Sequence, residues 1–284
     1  MMIEKTNILS DEQIKDIKAL EDIVFKEENL KNNAFLSNEI NFDKTVPCFY
    51  MAYEKDELVA FLNTFIPSPS EGEVIVFTHP KFRRKGYFKA LFQCAKEELL
   101  KAGIEKVLLA IEPKSKSGFA VLGRFNEAKW EHSEYKMAHD GVEGIPKYSH
   151  LNFIELDNSN REIYVGINLE SFSNLEYNPN FIDTIIDSES RKGYIAYENE
   201  IPIGAFALKY DKEEAYIYNV GINSKYRGRG FGKELMGYAI KVGLAKCDKA
   251  VLDVDSSNPI ALNLYKKCGF KTDCQVDYYD YKLI

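Results

Sequence analysis

"KYRGRGFGKEL" at 225–235 decides how this chain is read. Gly228, Gly230 and Gly232 alternate with Arg229 and Phe231 behind Arg227, and the run passes straight into an apolar-periodic helix. Glycines let bare backbone approach a ligand, and a helix N-terminus carries roughly half a positive charge and unpaired N–H groups. A loop of this kind grips an anion, and its arginines favour a phosphate. Gly-rich turns before helices also occur as plain solvated turns, so the reading depends on the rest of the chain.

A repeat supports it. "HPKFRRKGYFKALFQCAKEELLKAGIEKVLLAI" at 79–111 lies over "NSKYRGRGFGKELMGYAIKVGLAKCDKAVLDVD" at 223–255 without a gap, at a constant offset of 144 (225 against 81). Two copies of one fold unit are implied. Gly and Pro in "HDGVEGIPKYSH" mark a seam, which predicts two domains, 1–145 and 146–284. The first copy opens with a helix behind Ser10, with Gln13 in the capping-box place. Strands "CFYMAYE", "ELVAFLNTFI" and "EVIVFTH" follow, then a helix from Gly86 and the strand "KVLLAIE". The second copy repeats this with "LNFIELD", "GYIAYENE", "IPIGAFALKY" and "EAYIYNVGI", a helix from Phe231, the strand "AVLDVD", a helix from Pro259 and the strand "DYYDYKL". Long antiparallel strands followed by a strand–helix–strand crossover describe an α/β fold: in each domain a mixed, mostly antiparallel sheet flanked by helices. The glycine loop falls inside the crossover.

Composition narrows the class. With 284 residues, 45% apolar and 29% charged, the chain is globular material with enough length for two cores. No apolar run approaches the roughly 20 residues of a bilayer span, and the start has no basic-then-apolar leader, so a cytoplasmic protein is expected. Cys48, Cys94, Cys247, Cys268 and Cys274 are odd in number without C-x-x-C spacing, and four histidines accompany them. Neither a disulfide framework nor a metal site follows. A net charge of −7 argues against nucleic-acid or membrane partners and leans towards a cationic guest such as an amine.

These residues resemble the GNAT superfamily of N-acyltransferases. Its Arg/Gln-x-x-Gly-x-Gly/Ala signature stands here as Arg227-Gly228-Arg229-Gly230-Phe231-Gly232, preceded by Tyr226. "VLDVD" at 251–255 is followed by "SSNPIALNLYKKCGF", where Asn258, Tyr265, Gly269 and Phe270 match the family's Asn…Tyr-x-x-x-Gly-Phe pattern. The resemblance implies a splayed parallel strand pair in each domain and acetyl-CoA as co-substrate without a metal. It further implies that the backbone of Arg227–Gly232 holds the pyrophosphate, that a strand bulge at Val220-Gly221-Ile222 polarises the thioester carbonyl, that Asn258 contacts the cofactor, and that Tyr265 protonates the departing sulfur. The acceptor would be a small-molecule or peptide amine.

The residues also carry readings of their own. Asn258 before Pro259 has the form of a helix N-cap. Tyr265 follows it by about two helical turns, so both share a face, although a tyrosine there equally suits a core. Gly221 inside a strand is itself a bulge signal. A primary amine is only about 0.1% unprotonated at neutral pH, so a proton path is required. The family's strand glutamate is replaced by Tyr216, with Tyr218 beside it, leaving Asp253, or water relayed by either tyrosine, as the base. Glu170, Glu176 and Phe172 form a candidate wall for the acceptor.

The first copy keeps Arg83, Lys85 and Gly86 but has Phe88 opposite Gly232, Leu109 opposite Asp253, Phe125 opposite Tyr265 and Gly118 opposite Asn258. Catalysis is therefore expected in the second domain, with the first structural or binding CoA without turnover. The alternative is a non-catalytic CoA-binding sensor or scaffold. A dinucleotide fingerprint fails because its third glycine would be Lys233. Ser/His/Asp chemistry fails because no histidine follows His150 and no G-x-S-x-G occurs.

Overall fold

The computed structural model describes residues 1–172 and 180–283. In chain order its elements are β1 (Met2–Thr6), α1 (Asp11–Glu28), β2 (Phe49–Glu54), β3 (Glu57–Phe65), β4 (Glu71–Thr78), α2 (Tyr87–Lys101), β5 (Lys106–Ile111), α3 (Lys116–Leu122) and β6 (Lys129–His139). There follow β7 (Leu151–Glu155), α4 (Arg161–Ser171), α5 (Asn180–Ile186), β8 (Arg191–Glu198), β9 (Ile201–Tyr210), β10 (Glu214–Ile222), α6 (Phe231–Leu244), β11 (Lys249–Asp255), α7 (Pro259–Lys267) and β12 (Lys271–Lys282). They form two compact units, Met1–Glu134 with Cys274–Ile284, and Tyr135–Asp273.

Strands in the first unit run in the order β1-β2-β3-β4-β5-β12, and in the second β7-β8-β9-β10-β11-β6. Helices cover both faces of each. In the first unit Leu91, Ala95 and Leu99 of α2 pack over Leu62 and Val74, while Ile17, Leu20 and Val24 of α1 pack over Phe49, Phe61 and Phe77. In the second, Leu235, Ala239 and Ile240 of α6 cover Phe206, Leu208, Ala250 and Leu252. Tyr164, Ile167, Ile182 and Ile185 of α4 and α5 cover Ile195, Ala205 and Ala207 on the opposite side. Burial on both faces explains why β3 and β9 read as continuous apolar runs rather than alternating ones. The Ser10 capping box forms, with the Ser10 N–H donating to the Gln13 side chain at 3.0 Å and the Gln13 N–H to the Ser10 hydroxyl at 3.2 Å.

Sequence reading missed β1, α4 and α5. "MIEKT" pairs antiparallel with β2 from Met2↔Tyr53 to Thr6↔Phe49, but an exposed edge strand has no need of apolar alternation.

Each unit contains a parallel strand pair, and that pair comes apart. The β10/β11 register runs only from Glu214↔Lys249 to Tyr216↔Val251, although β10 continues to Ile222 and β11 to Asp255. Likewise β4/β5 runs from Glu71↔Lys106 to Val74↔Leu109 while β4 continues to Thr78. These loose ends are the splay the sequence implied.

The first unit is closed by β12, which pairs antiparallel with β5 from Asp277↔Ile111 to Lys282↔Lys106. Just beyond it the Leu283 N–H donates to the Glu105 carbonyl at 2.8 Å, and the Leu283 side chain is wholly buried in the core under α2. Leu283→Ala should cost about 2–5 kcal/mol, and the loss should fall on the first unit. Hydrogen exchange is expected to speed up in α2 and β5 and to hold in α6 and β10.

Candidate active site

At the end of β10 the chain makes a short 3₁₀ turn, Ser224–Tyr226, and enters the glycine loop. The Lys225 N–H donates to the Asn223 side chain at 3.1 Å, and Arg227 Nε donates to the Ile222 carbonyl at 2.8 Å, which ties the loop back to the strand. Gly228 and Gly230 are left-handed, with φ of 76° and 89°. No side chain caps α6, and a Cβ added at Gly228 or Gly230 would meet nothing within 4 Å. The loop is thus bare backbone facing open space at a helix N-terminus, which fits an anion such as a diphosphate. Gly232 serves packing as well: a Cβ there would lie 3.3 Å from Leu264 Cδ2 on α7.

The arginines are partly occupied. Arg229 places Nη2 2.6 Å from Glu198 Oε1 and lies over the Phe231 ring at 4.7 Å, while the Phe231 side chain is buried in the core beneath α6. Positive potential at this loop therefore comes from backbone and helix dipole more than from free guanidinium.

Before the loop, β10 carries a bulge. Its register against β9 jumps from Tyr218↔Ala207 to Gly221↔Ala205, so three steps on β10 oppose two on β9. Asn219 and Val220 have no place in that register, and Asn219 is left-handed at φ 52°. Its Nδ2 is buried without a hydrogen-bond partner among the described residues. A Cβ on Gly221 would lie 2.5 Å from Ser171 Oγ and 3.7 Å from Phe172 Cε2, so the end of α4 seats against the bulge. Nearby, Ile222 supplies the carbonyl that Arg227 holds.

The other sequence candidates lie on β11 and α7. Asp253 accepts a hydrogen bond from the Tyr216 hydroxyl at 3.0 Å. Solvent reaches this carboxylate, yet surrounding protein desolvates it and raises its pKa; Tyr216 and Lys136 pull the other way, and Glu214 adds to the rise. Tyr216 stacks on Tyr218 at 5.9 Å, and Arg191 Nη1 donates to the Tyr218 hydroxyl at 3.4 Å. Asn258 caps α7, its side chain accepting from the Ala261 N–H at 3.0 Å. Tyr265 is 8% exposed, and burial pushes its hydroxyl up to about 12. Glu170 is engaged by the Asn223 side-chain amide and, at 2.9 Å, by the Ser224 hydroxyl; it anchors the loop instead of standing open as a wall. Glu176 lies outside the described residues.

The first copy keeps the scaffold but not the device. Arg83 Nε donates to the Thr78 carbonyl at 3.2 Å, as Arg227 does to Ile222, and Gly86 is left-handed at φ 93°. At the place of Gly228, however, Arg84 must adopt φ 64°. The β3/β4 ladder runs from Ala60↔Thr78 to Phe65↔Glu73 with no shift. The bulge is therefore one residue gained by the second copy: Ile222 matches Thr78 at an offset of 144, but Tyr216 matches Glu73 at 143 (216 against 73). Sequence reading missed Glu73 because the gap-free overlay begins downstream of that insertion. Its carboxyl is pushed up to about 8 by burial, with Glu134 and Glu71 adding to the rise. Phe88, Phe92 and Phe125 fill the area opposite Gly232 and Tyr265, with ring centroids 5.1 to 6.0 Å apart.

A splayed parallel pair and an uncapped helix start behind a left-handed glycine form a scaffold present twice, to which the second copy adds a bulged strand and a full glycine loop. The chain matches the Acetyltransferase (GNAT) family over residues 14–120 and 155–270, and it belongs to that family. It is 38% identical over 88 residues to N-alpha-acetyltransferase 30 of Saccharomyces cerevisiae, covering 27% of this chain and 50% of that protein. To the Homo sapiens protein of the same name it is 34% identical over 86 residues, or 28% of this chain and 24% of that one. The chain thus spans half or less of the length of these relatives. A GCN5-related N-acetyltransferase from Sphaerobacter thermophilus has a similar fold, with a TM-score of 0.78, 16% identity and coverage of 99% of this chain and 96% of that one. A tandem GNAT protein from the clavulanic acid biosynthesis pathway gives 0.71 at 13% identity, covering 100% and 99%. The family expected from the sequence, its enzyme class of acyltransferase and its tandem α/β fold all stand. Among the described residues no group of three or more His, Cys, Asp or Glu is placed to hold a metal, and no helix is long and apolar enough to cross a membrane.

Left-handed backbone costs a non-glycine residue about 1–2 kcal/mol. Gly228→Ala should therefore lower stability by roughly 1 kcal/mol, and Arg84→Gly should raise it by a similar or smaller amount. Opposite shifts in urea midpoint would confirm that the two loops share one backbone.

Proposed function

We propose that the chain transfers an acetyl group from acetyl-CoA to a small-molecule or peptide amine in the cytoplasm, with catalysis in the second half, 146–284. The observation that carries this reading is the bulge: a strand interrupted beside an uncapped glycine loop in one copy of the repeat, where the other copy has an unbroken ladder. The Arg227–Gly232 backbone and the start of α6 hold the pyrophosphate. Backbone N–H freed by the bulge at Val220–Ile222 polarises the thioester carbonyl. The amine nitrogen attacks that carbon, the C–S bond breaks, the amine proton passes to Asp253 directly or by way of Tyr216, and Tyr265 gives its proton to the departing sulfur. Asn258 fixes the start of α7 and so the place of Tyr265. The name of the relatives above makes α-amino groups the first acceptors to assay.

Glu73 favours a second reading, in which the first unit does the chemistry with a strand carboxylate as base. The two separate cleanly. On the first reading Tyr265→Phe lowers kcat by about 100-fold or more, within the range of a lost general acid, and Glu73→Gln leaves it within about twofold. The reverse pattern would transfer catalysis to the first unit. Binding of acetyl-CoA with no thiol release for any amine would favour a sensor.

The pH profile supplies a further check. A base must be unprotonated, so the rate should climb as pH rises through the elevated pKa of Asp253, and Asp253→Asn should flatten that acidic limb. Tyr265 must stay protonated to act as an acid, and with its hydroxyl up at about 12 it imposes no alkaline fall below roughly pH 10. Profiles of kcat/KM for both proteins test this.

A further inference from the structure

We propose that Lys209 reads an anionic group on the acceptor, so that the amine this chain acetylates carries a carboxylate close to its nitrogen. The inference rests on the reading above, in which Asp253 and Tyr216 meet the amine, and it narrows the acceptor to a small zwitterion.

Register places the lysine. One row of directly opposed residues crosses the second unit: Arg191 on β8, Lys209 on β9, Tyr216 on β10 and Val251 on β11. Ala205 and Ala207 of β9 pack against α4 and α5, and strand alternation puts Lys209 on that same face. Tyr218 packs there too, with Tyr216 stacked on it. Opposed Cβ atoms in an antiparallel pair stand about 5 Å apart. Lys209 therefore springs from the sheet beside the tyrosine whose hydroxyl donates to Asp253 at 3.0 Å.

Three features argue against a purely structural lysine. It is half-buried, yet its ammonium forms no ion pair or hydrogen bond among the described residues. Its opposite number on β8 is Arg191, and like charges directly opposed in a sheet repel; that arginine turns to Tyr218, with Nη1 3.4 Å from the hydroxyl. The first copy shows that the scaffold does not require a cation here. At an offset of 144 (209 against 65) Phe65 stands in its place, opposed to Glu73 as Lys209 is to Tyr216, and its ring packs on Phe35 at 5.6 Å. An apolar residue serves the fold in one copy. An unpaired cation beside a reacting group in the other breaks a local rule, and such breaks mark functional sites.

The remaining charges on this face answer one another. Lys136 and Lys249 share the carboxylate of Glu214, at 3.2 and 2.7 Å, and Lys136 also acts on Asp253. Glu213 and Asp273 act on Lys249. Positive charge is left over at Lys209, in a chain whose net charge is −7. A base for the amine and a free ammonium for an anion complement an amine and a carboxylate on one molecule.

The test uses the full chain, acetyl-CoA and paired acceptors: alanine and β-alanine against their carboxamides, and a peptide with aspartate second against one with asparagine second. An amino acid should exceed its carboxamide in kcat/KM by about tenfold or more, the scale of one charged hydrogen bond, and the difference should lie in KM. Lys209→Gln should bring the ratio to about one, Lys209→Arg should keep part of it, and Lys209→Glu should invert it. Equal turnover within every pair, or a ratio that survives Lys209→Gln, would overturn the proposal. A preference confined to the peptide pair would keep the role of Lys209 and overturn the small zwitterion. Calorimetry with the acetylated products needs no transfer: N-acetylalanine should bind about tenfold more tightly than its carboxamide, and Lys209→Gln should erase the difference. That difference without turnover of any amine would sink the catalytic reading and leave the anion subsite standing, whereas its absence would sink the subsite.

Discussion

One surplus residue in β10 organises the second unit. A strand hydrogen-bonded on both sides has no donor to spare, and inserting one residue is the least disruptive way to release one. The insertion here puts Asn219 in the left-handed region, which asparagine tolerates better than most residues. It also needs room. Gly204 on the neighbouring strand supplies some, since a Cβ there would lie 2.5 Å from Ile222 Cδ1 and 2.8 Å from the Gly221 carbonyl oxygen. The first unit has Ala60 at the matching place, and its ladder stays regular.

The two glycine loops show how a repeat diverges by small increments. Both return an arginine to the carbonyl that ends the strand, and both start a helix on a left-handed glycine. The second then frees its backbone with Gly228 and binds Arg229 to Glu198, leaving open main chain. The first instead forces Arg84 into the strained region and pairs Arg83 with Glu28. One copy exposes bare backbone at this loop, and the other exposes side chains.

Much of this was legible in the sequence. Glycine spacing, the apolar period of α6 and the Asn-Pro cap are local signals, and each formed as read. The bulge was legible through Gly221, although the strained residue proved to be Asn219, whose conformation depends on what β9 allows. Contacts across strands left no local trace: the pairing of Arg229 with Glu198 spans 31 positions, and Glu170 reaches Asn223 across 53. Glu73 was hidden because matching it to Tyr216 requires knowing that a residue was gained upstream of the aligned stretch. Tyr265 shows the limit from the other side, since burial raises its pKa by the same means that would make it a core tyrosine.

The closing strand of the first unit arrives late. Its residues follow those of the whole second unit, so during synthesis β5 waits with "KVLLAI" unpaired on one side until the chain has grown from Ile111 to Lys282, about 170 more residues and on the order of 10 seconds at common elongation rates. An apolar, unpaired edge invites pairing with other chains. The nascent protein should be most dependent on chaperones in that interval, and fusions that delay release of the tail would lengthen it.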